Sequence, residues 1–285
     1  VEAAKLAFAD REAFYGDPKF VDTPMETLLS DAYNGARRGL IDMDTASLEL
    51  RPGNIEGYGG KIDYAAHIAA GTSQDFAKFG IGEPTVSKQG QVQGDTCHVD
   101  VIDRHGNMVA CMPSGGWLQS SPTIPDLGFC LNSRAQMFWL EEDRPATLAP
   151  GKRPRTTLSP SMALKDGEPY MVFGTPGGDQ QDQWQTNFFL RHTQFGMNLQ
   201  EAIDAPSWHS EHHPNSFFPR PAKPGKLVLE GRFPKATIDE LRRRGHDVEV
   251  GEDWSEGRLC AAAQDDGMLK AGSNPRGMQG YAVGR

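Results

Sequence analysis

Apolar residues near the N-terminus recur at helical spacing. Leu6, Ala9, Ala13 and Phe14 fall on one face, and Gly16-Asp17-Pro18 stops that segment. A second helical stretch starts near Pro24 and runs through Leu28, Leu29 and Tyr33 to Arg37-Arg38. Residues 52–95 then lose their period. Gly57, Gly59, Gly60, Gly71, Gly80, Gly82, Gly90 and Gly94 punctuate them, and only Tyr64 to Ala70 has a helical pattern. A loop this long is unusual inside a compact domain and is generally functional or disordered, although a plain surface linker has the same composition.

From Thr96 the period changes to two. Cys97, Val99 and Val101 share one face and His98, Asp100 and Ile102 the other, which predicts a strand. A turn at Gly106-Asn107 leads into Met108 to Met112, a nearly continuous apolar run that predicts a strand buried on both faces. Further short strands are predicted at Phe129 to Leu131, Ser161 to Leu164, Tyr170 to Phe173, Val228-Leu229, Val248 to Val250, Leu259 to Gln264 and Met268 to Ala271. Helices are predicted over Gln181 to Phe195, with Asp179 as cap, over Asn198 to Ala205, and over Ala236 to Arg244, with Asp239 and Arg243 paired at i,i+4. Strand pairs followed by helices predict a layered α/β (α+β) fold with mainly antiparallel sheets.

Bulk properties narrow the function. A formal charge of −9 argues against nucleic acid or an anionic membrane surface as partner. No apolar run approaches the ~20 residues of a membrane-spanning helix. Cys97, Cys111, Cys130 and Cys260 lack metal-ligand spacing, and are expected as free thiols, mostly buried. The chain opens at Val1 within a helical pattern, so a fragment of a longer protein is expected.

The run Thr96-x-His98-x-x-Val101-x-Asp103-x-x-Gly106-Asn107 resembles the start of the small subunit in the γ-glutamyltransferase family of N-terminal-nucleophile hydrolases. Further similar motifs follow in the family's order: residues 150–154 (PGKRP), 158–160 (LSP), 174–178 (GTPGG), 196–202 (GMNLQEA), Gly245-His246 and 274–277 (NPRG). Upstream, residues 5–11 and 15–18 resemble the end of the family's large subunit. The resemblance implies a four-layer αββα sandwich. It also implies a division at residue 96: residues 1–95 end the large subunit in a mobile pre-cleavage segment, and residues 96–285 form the small, catalytic one.

The resemblance also distributes roles. Taken alone, Thr96 is a β-branched residue beginning a strand. Cut from Asp95, it gains an α-amine that titrates at about 7.7–8.0 when unperturbed, close to where a general base works best. A threonine with its own amine as base is an established nucleophile design. Cys97 points to the opposite face and is assigned to the core. Two successive glycines, Gly177 and Gly178, ahead of a helix can aim backbone N–H groups at one point, and the resemblance makes them the oxyanion donors. It places Ser114 as the hydroxyl that assists the nucleophile, and Thr156 and Thr157 where the family's substrate-carboxylate serines stand. The expected substrate is a small amide or peptide. No cofactor is required, the expected partner is the N-terminal portion of the large subunit, and a homo-oligomer is left open.

Two departures bear on specificity. The family's acid for a substrate α-amino group falls at or beside Met137, and Gly116 stands where many members have Asn. Arg134 adds positive charge suited to a substrate carboxylate, against the plainer reading of a solvated surface arginine. The pattern is closer to divergent bacterial acylases and amidases of the family. The 208–213 run (WHSEHH) contains metal-ligand types but matches no strong spacing, so no metal is assigned. Arg242-Arg243-Arg244 reads as the exposed end of a helix. A non-catalytic homologue is the rival reading, and a metal-dependent hydrolase built on 208–213 a third.

Overall fold

The computed structural model describes residues 1–60, 62–72, 96–115, 121–276 and 280–284. Asp95, Gly116 and the stretch expected to be mobile before the cleavage point lie outside them. Helix α1 (Glu2–Phe14) buries Leu6, Ala9, Ala13 and Phe14 as their spacing predicts, and also Lys5, Asp10 and Glu12. Buried charges need partners. Asp10 takes Arg37, the Tyr33 hydroxyl and the Gly53 amide, which ties α1 to α3 (Asp31–Arg38). Between them lies the single turn α2 (Met25–Leu28), with Pro24 at its cap position, and α4 (Tyr64–Thr72) follows.

Strands β1 (Val99–Ile102) and β2 (Met108–Cys111) form the expected antiparallel hairpin, turning at Gly106, whose φ of +82° suits glycine. Strands β3 (Thr123–Ile124) and β4 (Phe129–Cys130) form a small second hairpin. Next come β5 (Ser161–Lys165), β6 (Glu168–Gly174), helix α5 (Gln180–Thr193), α6 (Leu199–Asp204), β7 (Trp208–Ser210), β8 (Lys226–Leu229), α7 (Lys235–Arg243), β9 (Asp247–Val250), β10 (Cys260–Asp265) and β11 (Met268–Ser273). Four of these make the main sheet, in the order β11-β10-β6-β5, antiparallel throughout. A second sheet, β7-β8-β9, contains the parallel pair β8–β9 and is covered by α7 through Ile238.

Register explains the layering. Met171 and Phe173 of β6 sit beside Ala263 and Ala261 of β10 and face α5 and α6, packing on Phe188, Leu199, Ala202 and Ile203. Burying each large side chain contributes about 1.5–3 kcal/mol. Val172, Ala262, Gly174 and Cys260 fall on the opposite face, where the β1–β2 hairpin packs. The layers thus run helices, main sheet, hairpin.

Three expectations are corrected. Met108 to Cys111 is not buried on both faces, because Val109 and Cys111 are exposed; so are Val99, Val101 and Cys97, so Cys97 is not core. The hairpin turns its polar row, Thr96, His98 and Asp100, toward the main sheet, and its apolar row outward. The four thiols are free as expected, but none is buried. On α7, Arg243 pairs with Glu240 and Asp239 with Lys235, because the basic end turns back onto the glutamate one turn earlier.

Candidate active site

Thr96 stands just ahead of β1, on the inward row. Its Oγ1 lies 2.6 Å from Ser114 Oγ, at the far end of β2 from the hairpin turn. Ser114 Oγ also accepts a 2.6 Å hydrogen bond from Arg134 Nη2. Three residues singled out in the sequence, Thr96, Ser114 and Arg134, therefore meet. Arg134 is not a solvated surface residue, being only 6% exposed. It lies in a 3-10 helix, Ser133–Met137, whose preceding Asn132 accepts its backbone N–H, and its guanidinium lies over the Phe217 ring. Met137, at the end of the same turn, is fully buried.

His98, two residues after Thr96, donates from Nε2 to Asp100 Oδ1 at 2.8 Å, and both side chains are buried. Burial raises the Asp100 carboxyl, against the pull of His98. The His98 ring lies against Gly174, the last residue of β6, which links the Thr96 strand to the segment that follows. That segment is the Gly177-Gly178 turn. Gly177 has φ +134° and Gly178 φ +42°, conformations that favour glycine. Their carbonyls start α5 by accepting from Gln180 and Gln181. Among the described residues neither N–H has a backbone acceptor. Trp184 walls the turn and leaves no space for a side chain on Gly177.

Asp179 does not cap α5 with its side chain. Its carboxylate accepts instead from Arg11 Nη1 at 2.7 Å and from the backbone N–H and hydroxyl of Ser216, each at 2.6 Å. Arg155 bridges Glu12 to Ser216, and His213 stacks on Phe8. Burial alone would raise the Asp179 carboxyl, but Arg11, Arg155 and the hydrogen bond from Ser216 hold it well below the usual range. Burial and the neighbouring Arg11 push His213 down to about 3, so it is neutral. Sequence reading missed this network. Its members lie up to about two hundred residues apart, and only charges placed inside apolar stretches, such as Asp10-Arg11-Glu12, hinted at it.

Thr156 and Thr157 are separated in role by their exposure. Thr157 is buried and its hydroxyl has no partner among the described residues, whereas the exposed Thr156 hydroxyl accepts from Leu158 N–H. The Gln181 carboxamide, with its nitrogen oriented by its neighbours, bonds the carbonyls of Thr157 and Thr175, tying this segment to the glycine turn. The 208–213 run gathers no metal-binding group among the described residues. His209 pairs with Glu256, which also accepts from Trp184 Nε1, so the cluster braces the tryptophan against Gly177.

The chain is 33% identical to a glutathione hydrolase-like YwrD proenzyme of Bacillus subtilis, over all of this chain and 46% of the relative. It is 32% identical to an oxamate amidohydrolase proenzyme of Klebsiella pneumoniae, again over all of this chain and 46% of the relative. Among solved structures, LmbA2991HD superposes with a TM-score of 0.85 at 54% identity, covering all of this chain and 47% of that one. A cephalosporin acylase from Bacillus halodurans superposes with a TM-score of 0.72 at 27% identity, covering 99% and 43%. The chain thus spans about half the length of the curated relatives it matches. Its α+β architecture is the N-terminal-nucleophile hydrolase fold of the acylase structure. A gamma-glutamyltranspeptidase family model matches residues 1–284, and the chain belongs to that family.

Proposed function

We propose that the full-length protein is a self-processing amide hydrolase or acyltransferase with Thr96 as its nucleophile. The observation that carries this reading is the 2.6 Å contact of Thr96 Oγ1 with Ser114 Oγ, on a strand packed beside the sheet that ends in the Gly177-Gly178 turn. In maturation, Thr96 Oγ1 adds to the Asp95 carbonyl carbon, the Asp95–Thr96 C–N bond breaks, and an ester and a free amine form. Water opens the ester, leaving the Asp95 carboxylate and the Thr96 hydroxyl. Residues 1–95 then end one subunit and 96–285 form the other.

In turnover the freed amine takes the Thr96 hydroxyl proton as Oγ1 attacks the substrate carbonyl. The Gly177 and Gly178 N–H groups receive the oxyanion, the amine proton passes to the leaving nitrogen, and an acyl-enzyme remains. Water or a second amine takes the acyl group. Thr156 and Thr157 are the proposed hydroxyl contacts for a substrate carboxylate.

The acyl group proposed is one without an α-amine. Met137 is fully buried where the resemblance calls for an acid, and an apolar side chain cannot pair with an ammonium group. Relatives named oxamate amidohydrolase and cephalosporin acylase support amide chemistry on acyl groups other than γ-glutamyl.

The test is the mass and N-terminal sequence of the purified full-length protein. Two chains meeting at residue 96, with Thr96→Ala giving one intact and inactive chain, is the expected result. Substrate turnover with Thr96 still bonded to Asp95 overturns the mechanism.

A further inference from the structure

Ser114 Oγ stands 2.6 Å from Thr96 Oγ1 on one side and 2.6 Å from Arg134 Nη2 on the other. A hydroxyl carries one hydrogen and two acceptor lone pairs, while a guanidinium only donates. Arg134 therefore occupies one lone pair of Ser114. The hydroxyl hydrogen and the second lone pair remain for its other neighbours, of which Thr96 Oγ1 is one.

We propose that Arg134 is a positioning residue for the nucleophile: it holds Ser114 so that its hydroxyl donates to Thr96 Oγ1 as that oxygen loses its proton. The inference rests on Thr96 being the nucleophile. Protons balance simply, because Ser114 and Arg134 each keep their own and only the Thr96 proton leaves. The guanidinium charge behind Ser114 makes that hydroxyl a stronger donor.

The surroundings hold Arg134 in this pose. Its backbone N–H donates to Asn132 Oδ1 at 2.7 Å, and its guanidinium carbon lies 5.6 Å from the Phe217 ring centre. Gly115 follows Ser114 with φ +78°, and a Cβ there would come within 2.9 Å of Arg134 Nε. The Gly115 carbonyl accepts from Ser133 N–H at 2.7 Å, which locks the Ser114-Gly115 segment to Ser133-Arg134. An arginine that served only to catch substrate would not need its donor turned onto the nucleophile's neighbour.

Self-cleavage provides the discriminating test, because it uses Thr96 Oγ1 with no substrate present. In the full-length protein, Arg134→Met is expected to slow the cut at residue 96 by about 10²-fold, the scale of losing one aligned donor. The kcat of the matured enzyme should fall by a similar factor. KM should stay within about twofold for two acyl amides, one with and one without a terminal carboxylate, as expected of a donor that acts chiefly in the transition state. Arg134→Lys should recover part of both rates. If Arg134→Met melts at room temperature, Arg134→Gln, which keeps an N–H donor without the charge, carries the same comparison. Normal cleavage with weakened binding of the carboxylate substrate alone would make Arg134 a substrate contact and overturn the proposal; so would a lysine variant no better than methionine. Thr96→Ala separates the two readings. If it still turns over substrate, the nucleophile assignment fails, whereas a Thr96-dependent enzyme indifferent to Arg134 loses only this inference.

Discussion

The imidazole of His98 occupies the space that a side chain on Gly174 would need. A Cβ built at Gly174 comes within 2.3 Å of His98 Cε1, so the two backbones approach because residue 174 has no side chain. This contact sets how close the Thr96 strand lies to the glycine turn that follows β6.

Gly174→Ala is therefore expected to push β1 away from β6 and to lower kcat at least tenfold, since misplacement of reacting groups by about 1 Å can cost 10²-fold. The backbone at 174 does not need a left-handed conformation, so the effect is steric. His98→Ala added to Gly174→Ala should recover more activity than His98→Ala alone retains in the wild-type background would predict from additive losses. A purely additive double-mutant cycle would show that this contact does not set the geometry.

Gly177 is more tightly constrained, because both its φ and the Trp184 ring exclude a side chain. Gly177→Ala should reduce turnover by about 10²–10³, the cost of a lost oxyanion donor, with little change in KM. Circular dichroism and melting temperature must remain near wild type for the comparison to count. Full activity in a folded Gly177→Ala variant would remove this N–H from the proposed mechanism.

Much of this fold is legible locally. The α1 face and the β1–β2 and β5–β6 pairs all rest on signals a few residues apart; the capping box of Asn198 and Glu201 on α6 is equally local, although the sequence reading did not single it out. What failed to be legible was which face of a strand is inside. Alternation marks two faces, but the polar row Thr96-His98-Asp100 turns inward because the main sheet packs there, a fact that no local pattern carries. Asp179 illustrates the same limit. Its position before α5 suggests a cap, yet Arg11, 168 residues away, takes its carboxylate. For the candidate site, the family resemblance brought out Thr96, Ser114 and the two glycines, while the braces His98, Trp184 and Glu256 depend on contacts between distant elements.

Two of the buried histidines, His209 and His213, should leave opposite marks on stability. Burial would lower His209, but Glu256 and Glu211 outweigh it and hold it at about 9, above its unfolded value near 6.5. Its contribution is complete below about 6.5 and is lost as pH rises through about 9. His213, held down at about 3, works the other way: the unfolded chain binds its proton first, so stability falls as pH drops from about 6.5 toward 3. Glu256→Gln should lower the melting temperature at pH 7 and flatten its decline between pH 7 and 9.5. An unchanged alkaline slope would show that the His209–Glu256 pair is not the cause.

The proposed acyl specificity rests on the buried Met137. The full-length enzyme should hydrolyse a glutaryl amide faster than the corresponding γ-glutamyl amide, measured as kcat/KM. An engineered Met137→Asp would place a charge at a fully buried position and should cost stability as well as change preference. Preference of the unaltered enzyme for the γ-glutamyl compound would contradict the proposed acyl group.

The contact between Arg11 and Asp179 crosses the proposed cleavage point, joining residues 1–95 to 96–285. Glu12–Arg155 and Asp17–Arg153 cross it as well. The first two pairs are buried, so salt screens them far less than it screens surface pairs. The two chains should therefore stay together after maturation and copurify at 1 M salt. Arg11→Met would strand Asp179 as a buried, unpaired carboxylate, a defect that typically costs about 3–5 kcal/mol. Asp179→Asn added to it should restore part of that loss, because the uncompensated charge is gone, although Ser216 still lacks its charged acceptor. Denaturant titration of the four proteins gives the coupling directly. If Arg11→Met and Asp179→Asn destabilise independently, the ion pair is not what joins the two portions; equal stability of all four would show that the packing of Phe8 on His213 and of α1 on its other neighbours holds them without it.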